Sequence, residues 1–197
     1  ADTVTGRSAQ AGISPALRPT LPAWAEMTPE RIGHVERVAT LVSAWAERMG
    51  VHDSERNRWL KAVWLHDALR DASRETLGQW ASSSSGPIEL WHGPAAAARA
   101  KAEGETDRGV LDAVRYHSLG LAEWDMVGRV LYCADYLEPG RTFDVAARAE
   151  LAALFPRDVA GVIRAVARAR LSYLARSGWP LPEPMVRFWN SLSVVSP

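Results

Sequence analysis

The sequence predicts an all-α fold, and three observations carry that prediction. Apolar residues recur at three- and four-residue steps over long stretches, the period of a helix buried along one face. Residues that start and stop helices stand at the ends of those stretches. Alternating apolar and polar runs, the mark of a half-buried strand, are absent, as is any internal repeat.

Taken in order, residues 1–26 are rich in Ala, Pro, Ser and Thr without a sustained period. They read as a tail or loosely packed arm ahead of one domain over 27–197. Thr28 is placed to cap a first helix, Pro29 suits its first position and Glu30 favours the positive end of its dipole. Ile32, Val35, Ala39, Val42, Ala46 and Met49 form its inner side, and Gly50 supplies a C-terminal cap. A second helix is predicted over 54–70, with Trp59, Ala62, Val63, His66 and Leu69 inward. Residues 82–87, SSSSGP, are turn formers and read as a loop. Pro94 opens an Ala-rich helix that fades at Gly104. Further helical patterns cover 107–117, 124–138, 145–154 and 158–176, and Gly178 and Pro180 stop the last of these. Trp45, Trp59 and Trp64 fall inside helical patterns and are core candidates.

Composition narrows the function. A chain of 197 residues, 47% apolar, can bury a sizeable core. Acidic and basic residues number 23 each, and a net charge of zero lacks the basic excess of a dedicated nucleic-acid binder. Cys133 is the single cysteine, so no intramolecular disulfide can form. No apolar run approaches the roughly 20 residues that span a bilayer, and the first ten residues are polar without an apolar signal core. The expectation is a cytoplasmic protein that engages neither nucleic acid nor membrane.

Four of the five histidines, His34, His66, His92 and His117, fall at informative places. His66 is followed by Asp67 in WLHDALRD, where apolar neighbours near a helix end put both side chains close to the core. Imidazole and carboxylate suit iron, manganese, cobalt or zinc. A carboxylate can bridge two ions, and two ions about 3.5–4 Å apart can activate water and stabilise charge on a phosphoryl group. Asp135, in LYCADYLEPGR, lies beside the apolar stripe of Val127, Val130, Leu131 and Ala134. An ionised carboxylate there is costly unless paired or metal-bound, and Arg129 or Arg141 is an alternative partner. Singly, these residues say little, because a helix histidine is more often an ordinary hydrogen-bonded residue than a ligand. His52, in the segment 50–54, has no supporting context. The ordered set on separate helices is what points to a metal centre.

The series His34, His66-Asp67, His92, His117 and Asp135 resembles the HD superfamily of metal-dependent phosphohydrolases. RIGHVERV, LHDALRD, HGPAAA, RYHSLG and YCADYLEPGRTF are similar to its YqeK-type branch, and the likeness runs from about Thr28 to a closing WNSL at Leu192. The resemblance implies an HD-domain helical bundle holding two metal ions, iron first, with manganese, cobalt or zinc as alternatives. It implies symmetrical hydrolysis of diadenosine tetraphosphate to two ADP. His34, His66, Asp67 and Asp135 would hold one ion, and Asp67 would bridge to a second held by His92 and His117. The family's usual Lys after the dyad is Arg70 here, and its HTTG-like segment is HSLG, so Ser118 keeps one hydroxyl and another is lost.

The reaction so implied is in-line attack of an activated water on a phosphoanhydride phosphorus. Arg70 and Arg141 are the candidates for stabilising phosphoryl charge. Backbone N–H groups at Gly93 and the Ser118 hydroxyl are further candidates for substrate contact. Plainer readings stand beside these. Arg70 can pair with Asp71 or Glu75, and Arg141 can be a solvated turn residue after Pro139-Gly140. Trp91, which precedes His92, either packs or borders an adenine pocket. Two other functions remain open: another nucleotide phosphohydrolase, such as a nucleotidase or guanosine-tetraphosphate hydrolase, and a nucleotide-binding regulator that kept the metal site. The assembly, homodimer included, is left open.

Overall fold

The structure is a computed structural model that describes residues 21–81 and 86–192. Among the described residues it is all helical, as predicted. Helix α1 (Pro29–Arg48) starts where expected: the Thr28 hydroxyl accepts from the Arg31 N–H, and Pro29 sits in the first turn. Val35, Val38, Val42, Trp45 and Ala46 are its buried face, and Gly50 takes the left-handed conformation (φ +64) that closes it. Helix α2 (Asp53–His66) is capped by His52, whose side chain accepts from the Ser54 N–H. His52 thus has a structural task, well away from the other four histidines.

Helix α2 ends at His66, four residues before the end that the apolar pattern predicts. The following turn is held by hydrogen bonds from Ala68 N–H to the Leu65 carbonyl and from Arg70 N–H to that of Asp67. Leu69 is buried, but against Leu77, Ala81 and Ala95 in a small second cluster. Its apolar character therefore extends the sequence period without extending the helix. Short helix α3 (Arg74–Trp80) follows, capped by the Ser73 hydroxyl on the Thr76 N–H. Residues 21–26 pack here: Trp24 touches both apolar clusters, and the Glu26 N–H donates to the Ala68 carbonyl at 2.8 Å. Of the expected arm over 1–26, residues 1–20 lie outside the described residues, as do residues 82–85 of the expected loop.

A 3₁₀ turn (Ile88–Leu90) leads into α4 (His92–Ala102), with Pro94 as its third residue. Then come α5 (Arg108–Tyr116), α6 (Met126–Leu137), α7 (Val145–Leu154), α8 (Val159–Arg176) and α9 (Glu183–Leu192). Helix α2 packs against α1, α4, α5 and α6, and α6 against α1, α2, α5, α7 and α8. The two are the centre of the bundle. Arg58 of α2 locks this arrangement. It bonds Asp107 at 2.6 Å and Asp125 at 2.9 Å, the N-caps of α5 and α6. Trp45 stacks on Phe155 at 3.9 Å and donates to the Ala152 carbonyl. Trp59 is likewise buried, whereas Trp64 is half-buried against the same core. Helix α9, absent from the sequence-based element list, packs Phe188 against Trp124 and Tyr132.

Candidate metal centre

The four singled-out histidines and both aspartates converge. His34 comes from α1, His66 from the last position of α2, Asp67 from the turn after it, His92 from the start of α4, His117 from just past α5 and Asp135 from α6. All six are at most 7% exposed. Gly93 makes this closeness possible. A Cβ there would stand 2.9 Å from the Val114 carbonyl oxygen and 3.0 Å from that of Arg115, so only glycine lets α4 approach the end of α5. Gly93 is outside the lining of the cavity described below.

The histidines are oriented from behind. Nδ1 of His66 lies 2.6 Å from the Val63 carbonyl, Nδ1 of His92 2.9 Å from that of Glu89, and Nδ1 of His117 2.7 Å from that of Val114. A carbonyl only accepts, so these Nδ1 atoms carry the protons and each Nε2 presents a lone pair to the centre. His34 does the same through the Glu138 carboxylate, 3.1 Å from its Nδ1. Nε2 of His92 and Nε2 of His117 are only 3.0 Å apart. Two lone pairs make no hydrogen bond with each other, so this approach suits two ligands that would converge on one cation.

Asp67 divides its oxygens. Oδ1 faces Nε2 of His92 (3.4 Å) and of His117 (3.6 Å), and Oδ2 faces Nε2 of His34 (3.8 Å) and of His66 (3.7 Å). Asp135 adds Oδ1 at 3.1 Å from His34 Nε2 and 4.0 Å from His66 Nε2. Two groups able to hold an ion result, His34-His66-Asp67 and Asp67-His92-His117, with Asp67 common to both. Among the described residues Nε2 of His66 is buried without a hydrogen-bond partner, which is costly unless a cation takes the lone pair. Imidazole nitrogen with carboxylate oxygen suits borderline ions such as iron, manganese, cobalt or zinc. The residues fit a two-metal centre.

The electrostatics of four of these residues agree, whereas burial at His34 is outweighed by Asp135, Asp67 and Glu138, which hold that ring above its usual value. Burial alone would raise the Asp67 carboxyl, but His66, His92 and His117 outweigh it and hold it well below the usual carboxylate range. Burial likewise opposes ionisation of Asp135, and His34 and Arg170 hold it low. Burial, reinforced by His92 and His66, pushes His117 down to about 3, so that ring is neutral at neutral pH, the state a ligand needs. His66 is pushed down by the same burial.

Sequence reasoning missed the supports of this centre. Glu138, 2% exposed, bonds His34, Arg37 (2.6 Å) and the Gly140 N–H (2.7 Å). Arg170 of α8 donates to Asp135 Oδ2 at 2.9 Å and to the Tyr132 carbonyl at 3.3 Å. Arg31 donates to Asp67 Oδ2 at 2.9 Å. The one available signal was position: Arg31 and Glu138 each fall three residues from a predicted ligand.

A cavity of about 860 Å³ opens over the centre, within the usual size range of ligand sites. Asp67, His92, His117 and Asp135 line it together with Arg70, Ser118 and Arg141. Arg70 donates to the Glu89 carbonyl at 3.2 Å and pairs with neither Asp71 nor Glu75 among the described residues. Arg141 donates to Asp135 Oδ1 at 3.2 Å and reaches Glu138 at 3.4 Å, so it is part of the site rather than a solvated turn residue. Arg129 instead bonds the Trp124 carbonyl. Trp91 is outside the cavity lining. It donates to the Gly86 carbonyl and packs with Leu69, Leu77, Ala81 and Ala95, which is the packing reading. No helix among the described residues is long and apolar enough to cross a membrane.

Residues 31–140, more than half of the chain, match the model of the HD domain family. A symmetrical bis(5'-nucleosyl)-tetraphosphatase of Bacillus subtilis (strain 168) is 32% identical over 126 residues, which cover 60% of this chain and 66% of the relative. A Staphylococcus aureus protein of the same name is 32% identical over 126 residues, covering 59% of this chain and 63% of that relative. The match thus spans a little under two thirds of each relative's length. Among solved structures, a Clostridium acetobutylicum protein described as a predicted HD superfamily hydrolase involved in NAD metabolism superposes with a TM-score of 0.73. It is 22% identical and the match covers 84% of this chain and 90% of that one, a likeness of fold.

Proposed function

This chain belongs to the HD domain family, and from that premise we propose that it is a two-metal phosphohydrolase that splits dinucleoside polyphosphates symmetrically, diadenosine tetraphosphate to two ADP. The observation that carries the proposal is the division of Asp67, one oxygen toward His34 and His66 and the other toward His92 and His117. That arrangement suits a carboxylate shared by two ions. The named activity of relatives about 30% identical supports the choice of substrate.

His34, His66, Asp67 and Asp135 would hold one ion; Asp67, His92 and His117 the other, with iron the first candidate. Such a pair supplies Lewis-acid polarisation of phosphoryl oxygens and a water acidic enough to attack near neutral pH. The protein's own residues do the rest. Carbonyl and carboxylate partners fix every Nδ1–H, so the four lone pairs stay aimed inward. Arg70 and Arg141 line the cavity and offer planar forks to phosphate oxygens. The Ser118 hydroxyl lines it too and can donate one hydrogen bond. Gly93 belongs to this scheme through packing, by letting His92 and His117 meet.

The experiment is product analysis. Metal-loaded protein given diadenosine tetraphosphate should yield ADP as the sole nucleotide product by chromatography. AMP with ATP would contradict symmetrical cleavage, and no turnover of any nucleotide polyphosphate would favour a binding regulator.

A further inference from the structure

Part of the cavity wall has no task in the chemistry above. Phe143, in the segment joining α6 to α7, and Tyr173 of α8 line the same cavity as Asp67 and Asp135, yet are 50% and 66% exposed. Water contact with two large rings is unfavourable unless something else uses them. Arg148 of α7 stands behind Phe143. Its guanidinium lies 4.4 Å from the Phe143 ring centre and 4.7 Å from that of Tyr136, which also lines the cavity. Arg148 is 4% exposed, and both its terminal nitrogens are buried without a hydrogen-bond partner. Among the described residues Arg148 makes no ion pair, which is costly for a buried cation, and the Phe143 and Tyr136 rings lie against it. A cation against one face of a ring draws π density toward itself, which leaves the ring less repulsive to the π face of a purine.

The rings also sit at a suitable remove from the charge. Phe143 follows Arg141 by two residues and Tyr173 follows Arg170 by three, a rise of about 4.5 Å along α8; both arginines hold Asp135. Arg168 and Arg176 lie on the cavity side of α8 with Tyr173, exposed and without ion pairs among the described residues. Cations beside Asp135 and further along α8, with exposed rings lining the same cavity, match a ligand that is anionic along its length and carries an aromatic base.

We propose that Phe143 and Tyr173 form a base-stacking subsite for the purine of a nucleotide whose phosphates reach the metal centre, with Arg148 as the residue that positions Phe143. This rests on the reading that the cavity takes a nucleotide.

The test is calorimetric binding of ADP and, separately, of inorganic pyrophosphate to the metal-loaded protein. Phe143→Ala and Tyr173→Ala should each weaken ADP at least about fivefold, the lower end of base-on-aromatic stacking, and leave pyrophosphate unchanged. Phe143→Leu, which keeps apolar bulk, should weaken ADP as well; Arg148→Met should do so by a smaller factor, again sparing pyrophosphate. Unchanged ADP affinity in both alanine variants overturns the subsite, as does an equal loss for pyrophosphate. A parent protein that binds pyrophosphate but not ADP overturns the nucleotide reading and the subsite together. A parent that makes ADP from diadenosine tetraphosphate, with variants that bind ADP normally, loses the subsite alone.

Discussion

Arg170→Met tests how the centre is held. Asp135 is 7% exposed, and among the described residues its Oδ2 has one charged partner, the Arg170 guanidinium at 2.9 Å. Its Oδ1 keeps His34 at 3.1 Å and Arg141 at 3.2 Å. Methionine roughly preserves length and apolar contact with Tyr132, over which the guanidinium sits at 4.7 Å, but removes the charge. Breaking a buried ion pair from one side costs about 3–5 kcal/mol. The surviving Oδ1 partners argue for the lower end, about 3 kcal/mol. For a chain of this size each kcal/mol shifts Tm by about 2–4 °C, so chelator-treated protein should melt about 6–12 °C lower. Arg170→Lys should recover part of this, since an ammonium keeps the charge beside Oδ2 but lacks the planar group whose terminal nitrogen bonds both Oδ2 and the Tyr132 carbonyl. In metal-loaded protein the deficit should shrink, because an ion near Asp135 compensates the same carboxylate. Differential scanning calorimetry on both forms measures this. A metal-free Arg170→Met protein melting within a degree of the parent would refute the reasoning.

The remaining expectations concern substrate, packing and pH. Arg70→Ala should lower kcat roughly 10²–10³-fold with a smaller effect on KM and normal metal content, and Arg70→Lys should restore much of the rate; steady-state kinetics decides. Gly93→Ala forces a Cβ to within 2.9 Å and 3.0 Å of two carbonyl oxygens, so α4 must shift; metal analysis should find weakened binding at the His92-His117 group first. Asp107→Asn keeps an N-cap but loses the charge paired with Arg58, the chief reason the Asp107 carboxyl is held down at about 2. With the folded value below the unfolded 3.8, that stabilisation is present above pH 3.8 and lost as pH falls toward 2. For a partly exposed pair it amounts to about 1–2 kcal/mol, so parent and variant should differ in urea unfolding at pH 7 and converge near pH 2.

Much of the fold was legible because its signals are local. Thr28, Pro29 and the apolar stripe define α1 within one stretch of chain, and the structure buries Val35, Val42 and Ala46 of that stripe while Ile32, Ala39 and Met49 are half-buried. The HD dyad was legible as chemistry, but the break at His66 was not. Leu69 continues the apolar period while packing into a different cluster, and only tertiary contacts reveal that. Helix α3 is seven residues long, too short for period to register, although Ser73 and Thr76 carried its cap. Helix α9 was hidden by Pro180, Pro182 and Pro184, with Pro184 in its first turn where proline is tolerated. Glu138 is 104 residues from the His34 that it supports and Arg170 is 35 from Asp135; Glu138 had only its place three residues after Asp135 to mark it, and Arg170 had nothing in its own neighbourhood.

If the Asp67 carboxylate serves two ions, metal content measures it directly. Protein purified without chelator should hold two metal ions per chain by elemental analysis. His34→Ala and His92→Ala should each lose one ion, Asp67→Ala should lose both, and His52→Ala, which alters only a helix cap, should lose none. An Asp67→Ala protein that still carries two ions per chain would contradict the account.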